Sequence, residues 1–208
     1  MMHNPYALYL VTDTDLCPRG KLPDVVEAAI QGGVTLVQLR EKAISSRGFY
    51  EEALALKQLT DRYGVPLIIN DRLDIMLAVD AAGLHIGQSD IPAEAARRIM
   101  GPDKLLGLSA GTVQQARTAK ADGADYIGVG AVFPTATKKD AVWIGKETLR
   151  EIKAAVELPV VGIGGIHAGN ISQIYGSGID GVAVVSAVMG SGNPKAAAEE
   201  LKEMVKQL

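Results

Sequence analysis

The chain reads as a single-domain (β/α)8 TIM barrel. Three observations predict it. Short apolar segments alternate with helical patterns from one end of the 208 residues to the other. Those segments are apolar at nearly every position, as strands buried on both faces of a parallel sheet must be. Glycine-led turns then carry helices back into strands, because glycine tolerates the left-handed conformation that ends a helix.

The strands are expected at 6–12, 35–39, 66–70, 83–86, 105–109, 125–130, 160–164 and 181–186, each short and rich in Val, Ile or Leu. Between them, Phe49, Tyr50, Ala53, Leu54, Leu56 and Leu59 share one side of a 3.6-residue wheel, and Leu201, Met204, Val205 and Leu208 do the same. The returning turns are Gly32-Gly33-Val34, Gly64-Val65-Pro66, Gly123-Ala124-Asp125 and Gly178-Ile179-Asp180. About eight helices in strict alternation with eight strands give the barrel. The rival is a doubly wound open sheet; the barrel is preferred because its units fill 1–208 with no leftover domain. The size lies near the lower limit of roughly 200 residues for this fold, and two independent cores would not fit.

A hydrophobic fraction of 48% with 22% charged residues excludes a disordered chain, and 4% aromatics imply a core of Val, Ile, Leu and Ala. Twenty-one basic against 24 acidic residues, net −3, disfavour a nucleic-acid partner but leave room for a small anionic ligand. The lone Cys17 excludes an intramolecular disulfide and a Cys-rich zinc site, and reads as an incidental thiol. No basic leader opens the sequence and no apolar run approaches a membrane span, so a cytoplasmic protein with no membrane partner is expected. A homodimer is compatible with all of this.

A barrel builds its active site at the C-terminal strand ends, so the polar residues there carry the functional reading. Strand 2 runs into Gln38-Leu39-Arg40-Glu41-Lys42; with period two, Gln38, Arg40 and Lys42 share one side and Leu39 and Glu41 take the other. Two cations and an amide converging there make an anion site. Strand 3 ends in Asn70-Asp71-Arg72 and strand 4 in Gly87-Gln88-Ser89-Asp90. Asp71 and Asp90 at adjacent tops suit a hard, oxygen-preferring ion such as Mg2+, or else cap the following helices; these residues alone leave both open. Ser109 ends strand 5. Strand 7 ends in Gly162-Ile163-Gly164-Gly165-Ile166 and strand 8 in Val184-Val185-Ser186, and Gly165 with Ser186 matches the usual backbone phosphate cradle of the fold.

The long segment 132–144 carries Pro134-Thr135-Ala136-Thr137-Lys138-Lys139-Asp140, two hydroxyls and two lysines suited to phosphate. His85, inside strand 4, reads as a packed core histidine, and His167 opens the helix expected after strand 7. No serine sits in a recognisable triad context. Two anion sites imply two phosphorylated substrates or one bisphosphate.

These motifs, from Tyr9-Leu10-Val11-Thr12-Asp13 to Val185-Ser186, resemble thiamine-phosphate synthase over nearly the whole chain. The resemblance implies a Mg2+-dependent transferase joining hydroxymethylpyrimidine diphosphate to hydroxyethylthiazole phosphate, with thiamine phosphate and pyrophosphate as products. It assigns Gln38, Leu39, Arg40, Glu41, Lys42, Asn70, Ser109 and Lys138 to the pyrimidine diphosphate. Asp71 and Asp90 would hold Mg2+. Thr135, Thr137, Gly165, Val185 and Ser186 would hold the thiazole phosphate, and Ala136 is counted with the substrate-binding residues. Mg2+, Arg40, Lys42 and Lys138 would stabilise the leaving group, with Ser109 also counted as catalytic, in a dissociative mechanism that needs neither nucleophile nor strong base.

One departure bears on the alternatives. Many members of that family carry His two residues after the strand 5 serine, where this chain has Gly111. A thiazole tautomerase would use a histidine in that region, so its absence favours the synthase. A non-catalytic phosphate-binding barrel should have lost its carboxylates, and both are present.

Overall fold

Each strand ends where apolar alternation gives way to polar residues. Among the residues described by the structure, a computed structural model covering 4–17, 20–135 and 143–208, eight strands form one closed sheet. They are β1 (Leu8–Val11), β2 (Leu36–Leu39), β3 (Leu67–Asn70), β4 (Gly83–Ile86), β5 (Leu105–Ala110), β6 (Tyr126–Val129), β7 (Val160–Ile163) and β8 (Gly181–Val184). Every neighbouring pair is parallel and β8 returns to β1, so no strand edge is left open. All eight fall within the expected segments or overrun them by one residue.

The helices are α1 (Leu22–Gln31), α2 (Ser46–Tyr63), α3 (Leu73–Ala78), α4 (Ala93–Met100), α5 (Val113–Ala121), α6 (Gly145–Ala155), α7 (Ser186–Met189) and α8 (Pro194–Val205). The Ser45 hydroxyl accepts from the Gly48 amide to start α2, and Gly64, left-handed at φ 64°, ends it. Along α2, Phe49, Ala53, Leu56 and Leu59 are buried while Tyr50 stays exposed at the margin of the stripe.

Strict alternation breaks once. Between β7 and β8 the described residues hold only a 3-10 turn, Ile171–Ile174, and the count of helices is restored by α7 and α8 together after β8. The reason is glycine: Gly164 and Gly165 (φ 100° and 65°) turn the chain as it leaves β7, and Gly176 and Gly178 (φ 73° and 78°) turn it again before β8. His167 therefore opens no helix. It forms a tight turn in which its Nδ1 accepts from the Gly169 amide (3.2 Å) and its own amide donates to Asn170 Oδ1 (2.9 Å).

Period two sorts each strand between two cores. Leu8 and Leu10 face the helix layer, whereas Tyr9 and Val11 face the barrel interior. Each fully buried Leu or Ile of the helix layer contributes about 1.5–3 kcal/mol. The interior departs from the aliphatic expectation. Tyr6, Tyr9 and Tyr126 fill it together with Val11, Leu36, Ile68, Val161 and Ala183. Gly107 makes this filling workable, since a Cβ there would stand 2.1 Å from Tyr126 Cζ and 2.5 Å from His85 Nδ1. No helix among the described residues is long and apolar enough to cross a membrane.

Candidate active site

The run 38–42, which ends β2 and continues past it, divides as its alternation demands. Gln38 turns inward, where its Nε2 donates to the Tyr9 hydroxyl at 2.6 Å. Arg40 places NH1 4.0 Å from Asp13 Oδ2, while its backbone amide donates to Thr12 Oγ1 at 3.1 Å. Lys42 reaches across to the next strand end and donates to Asp71.

The other two members of that run point elsewhere, which corrects any assignment of their side chains to a ligand at the mouth. Leu39 is fully buried in the helix layer. Glu41, 8% exposed, lies in a cavity of about 680 Å³ behind the mouth, lined also by Thr14, Cys17, Glu52 and Leu56. Its Oε2 accepts from the Thr14 hydroxyl at 3.1 Å, and its Oε1 has no hydrogen-bond partner. Burial first, then the Glu52 carboxylate, push the Glu41 carboxyl above its ordinary value. Only main-chain groups of Leu39 and Glu41 remain for a substrate.

Asp71 and Asp90 meet at the tops of β3 and β4. Asp71 sits in the left-handed region at φ 60°, one of two non-glycine residues there among those described, and its amide donates to the His85 carbonyl at 2.9 Å. Asp90 Oδ2 accepts from the Gly87 amide at 2.7 Å. Neither carboxylate caps a helix: Arg72 precedes α3 and Pro92 precedes α4, and neither cap has a side-chain bond. Burial, and then the adjacent Asp71 carboxylate, raise the Asp90 carboxyl from its ordinary value, against the opposing Gly87 bond and the Lys42 charge.

Two carboxylates in contact, with one ammonium beside them, form a donor set that suits a hard divalent cation. Among the described residues no third His, Cys, Asp or Glu completes a cluster with them. A cation held here would draw further ligands from water or from substrate phosphate.

Asn70 ends β3 almost wholly buried, in register with His85 on β4. His85 is not merely packed. Its Nδ1 lies 3.1 Å from the Tyr126 hydroxyl and its Nε2 3.1 Å from Ser109 Oγ, so it bridges the interior to the mouth. Gln88 steadies the same strand end by donating to the Ser109 carbonyl at 2.6 Å. Sequence reasoning passed over Tyr9 and Tyr126. The available signal was a hydroxyl-bearing ring at an inward position, which needs a partner when buried. Gly111 follows Ser109, its amide donating to Gln115 Oε1 at 2.8 Å.

On the far side, Gly165 holds φ 65°, and a Cβ on it would lie 2.5 Å from the Pro134 carbonyl oxygen. Only glycine lets the two loops approach so closely. Asn170 Nδ2 pins this turn through the Gly165 carbonyl at 2.8 Å. β8 stops at Val184; Val185 packs against the interior core and Ser186 opens α7, whose first amides lack intrahelical acceptors as at any helix start. Thr135 is half-buried beside Pro134. Ala136, Thr137, Lys138, Lys139 and Asp140 lie outside the described residues.

Residues 8–188 match the family model described as thiamine monophosphate synthase. The chain is 55% identical to the thiamine-phosphate synthase of Clostridium tetani over 203 residues, covering 96% of this chain and 97% of that one. It is 56% identical to that of Ruminiclostridium cellulolyticum over 199 residues, with 96% and 95% covered. Among solved structures, thiamine phosphate pyrophosphorylase from Pyrococcus furiosus superposes with a TM-score of 0.91 at 42% identity, over 98% of this chain and 96% of that one.

Proposed function

The chain belongs to the thiamine monophosphate synthase family, transferases of thiamine biosynthesis, and we propose a division of labour for its barrel mouth on that footing. The reaction joins hydroxymethylpyrimidine diphosphate to hydroxyethylthiazole phosphate and releases pyrophosphate. The observation that supports the division is the meeting of Lys42, Asp71 and Asp90 at successive strand ends, beside Gln38, Arg40 and Ser109.

In this reading the pyrimidine diphosphate lies over β2 to β5. Arg40, Lys42 and, from the segment outside the described residues, Lys138 neutralise the diphosphate as it gains charge. Gln38, Asn70 and Ser109 orient the pyrimidine end, with main-chain groups of Leu39 and Glu41 lining the approach. Asp71 and Asp90 would hold Mg2+, which supplies further charge neutralisation of the departing pyrophosphate. Thr135, Ala136, Thr137, Gly165, Val185 and Ser186 take the thiazole phosphate, opposite the diphosphate.

The carbon–oxygen bond at the pyrimidine methylene breaks and its electron pair leaves with pyrophosphate. The lone pair of the thiazole nitrogen then forms the new carbon–nitrogen bond. Neither step asks the protein for a nucleophile, so its residues serve to align two substrates and stabilise a leaving anion. A cytoplasmic site of action belongs to the same reading. Mixing purified protein with both substrates and Mg2+ and detecting thiamine phosphate by mass spectrometry tests it; absence of that product overturns it.

A further inference from the structure

Five side chains on five different strands form one hydrogen-bonded line through the barrel interior. Gln38 Nε2 meets the Tyr9 hydroxyl (2.6 Å), Tyr9 the Tyr126 hydroxyl (2.9 Å), Tyr126 His85 Nδ1 (3.1 Å), and His85 Nε2 Ser109 Oγ (3.1 Å). Its three inner members are buried or nearly so: Tyr126 at 0% exposed, Tyr9 at 2% and His85 at 9%. Two glycines keep the space open. Besides the Gly107 clash with Tyr126, a Cβ on Gly128 would stand 3.2 Å from His85 Cε1.

The line has a direction. The Gln38 amide nitrogen can only donate, so the Tyr9 oxygen accepts from it. Of the two directions open to the Tyr9–Tyr126 bond, the one that gives the buried Tyr9 hydrogen an acceptor has Tyr9 donating to Tyr126, and the Tyr126 hydrogen then goes to His85 Nδ1. With Nδ1 accepting, the ring hydrogen belongs on Nε2 and is donated to Ser109 Oγ. Two groups are left over at the ends: the carbonyl oxygen of Gln38 and the hydroxyl hydrogen of Ser109. In the opposite arrangement Tyr126 donates to Tyr9, which then accepts from both Gln38 and Tyr126, and the buried Tyr9 hydrogen is left without an acceptor, which disfavours that arrangement.

We infer that Tyr9, Tyr126 and His85 are positioning residues that set the polarity of the mouth, so that Gln38 offers an acceptor and Ser109 a donor to one substrate. The inference rests on the assignment of Gln38 and Ser109 to the pyrimidine diphosphate for its catalytic consequence, but not for the polarity itself. An aminopyrimidine carries N–H donors and ring-nitrogen acceptors, and its far end carries phosphate oxygens. A fixed acceptor on β2 and a fixed donor on β5 would accept it in one orientation only. With the line reversed, Gln38 would offer N–H and Ser109 a lone pair, and that orientation would be opposed at both ends.

The test reads the His85 tautomer by nitrogen NMR of the substrate-free whole protein, with the signal assigned by comparison with His85→Gln. The hydrogen is expected on Nε2 in the wild type; finding it on Nδ1 overturns the inference without recourse to any variant. Gln38→Glu places an acceptor-only carboxylate at the head of the line, so the tautomer should switch to Nδ1–H at the other end of the relay. An unchanged tautomer overturns the coupling. In a Tyr126→Phe background, where the relay is cut, the same Gln38→Glu change should leave the tautomer unmoved. Tyr126→Phe alone keeps the ring packing and should lower kcat about tenfold, the equivalent of one hydrogen bond, with a smaller change in KM. The NMR outcomes stand apart from activity: normal polarity with an unaffected kcat would remove the substrate assignment of Gln38 and Ser109, not the relay.

Discussion

Lys42, beyond the end of β2, donates its ammonium hydrogen to Asp71, just past β3, so a side-chain cation already occupies one side of the paired carboxylates. The bond is half-exposed and worth little as a stabilising contact. Its consequence is for charge: among the described residues, one ammonium stands against the two carboxylates of Asp71 and Asp90. Chelation with excess EDTA should therefore abolish turnover, and Asp71→Asn should weaken Mg2+ activation by about ten- to a hundredfold or more while the thermal midpoint changes little. Full activity in EDTA would remove the metal from the proposal.

Lys138 lies outside the described residues, yet its charge has a clear test. Lys138→Ala should reduce kcat by about 10²–10³ if the ammonium meets the departing pyrophosphate. A change confined to the KM of the thiazole phosphate would move Lys138 to the other anion site.

Gly111→His should be accommodated. A Cβ there meets only Gln115 Oε1, at 3.6 Å, an ordinary contact. Substrate affinity should shift by no more than about tenfold, roughly 1.4 kcal/mol. Side-by-side assays of coupling and of thiazole tautomerisation should find coupling alone in the wild type, with His85 Nε2 engaged by Ser109 Oγ rather than facing the thiazole. Fast tautomerisation without thiamine phosphate would reverse the assignment.

Glu41 predicts a pH-dependent cost. Its folded carboxyl is raised above the ordinary 4.5, so the folded state binds the proton more tightly than the unfolded chain does. Stability from this group is present below that ordinary value and is lost as pH rises through the folded one. Glu41→Gln should therefore raise the thermal midpoint near pH 7 and leave it unchanged near pH 3, in melts followed by circular dichroism. An equal shift at both pH values would point to packing instead.

Gly107→Ala should destabilise by about 1–3 kcal/mol in urea titrations, because the new methyl group meets the buried Tyr126 ring and His85. An unaffected midpoint would mean that these rings can move aside.

Most of the architecture was legible because its determinants are local. β-branched and leucine runs, glycine turns and period-two alternation specify β1 to β8, and the same alternation separates Gln38, Arg40 and Lys42 from Leu39 and Glu41. The 3-10 turn after β7 was not legible, because four glycines decide it jointly over a stretch whose apolar spacing still suggests a helix. The relay through Tyr9, Tyr126 and His85 was illegible for another reason: its members are far apart in sequence, and only closure of the barrel brings them within bonding distance. His85 in isolation looks like any buried histidine. Its role is carried by residues on two other strands.

The left-handed backbone of Asp71 gives position 71 an evolutionary reading. An aspartate held at φ 60° is less comfortable there than glycine, and it also carries a charge beside Asp90. Replacement by glycine relieves both burdens, so on the proposed metal-holding role selection on folding and selection on that role pull position 71 in opposite directions. In a duplicated copy of this barrel freed from its biosynthetic duty, Asp71 should be among the earliest residues to drift, long before the interior tyrosines. On the proposed role, retention of aspartate at 71 in a distant homologue would mark continued selection on metal binding at this strand end.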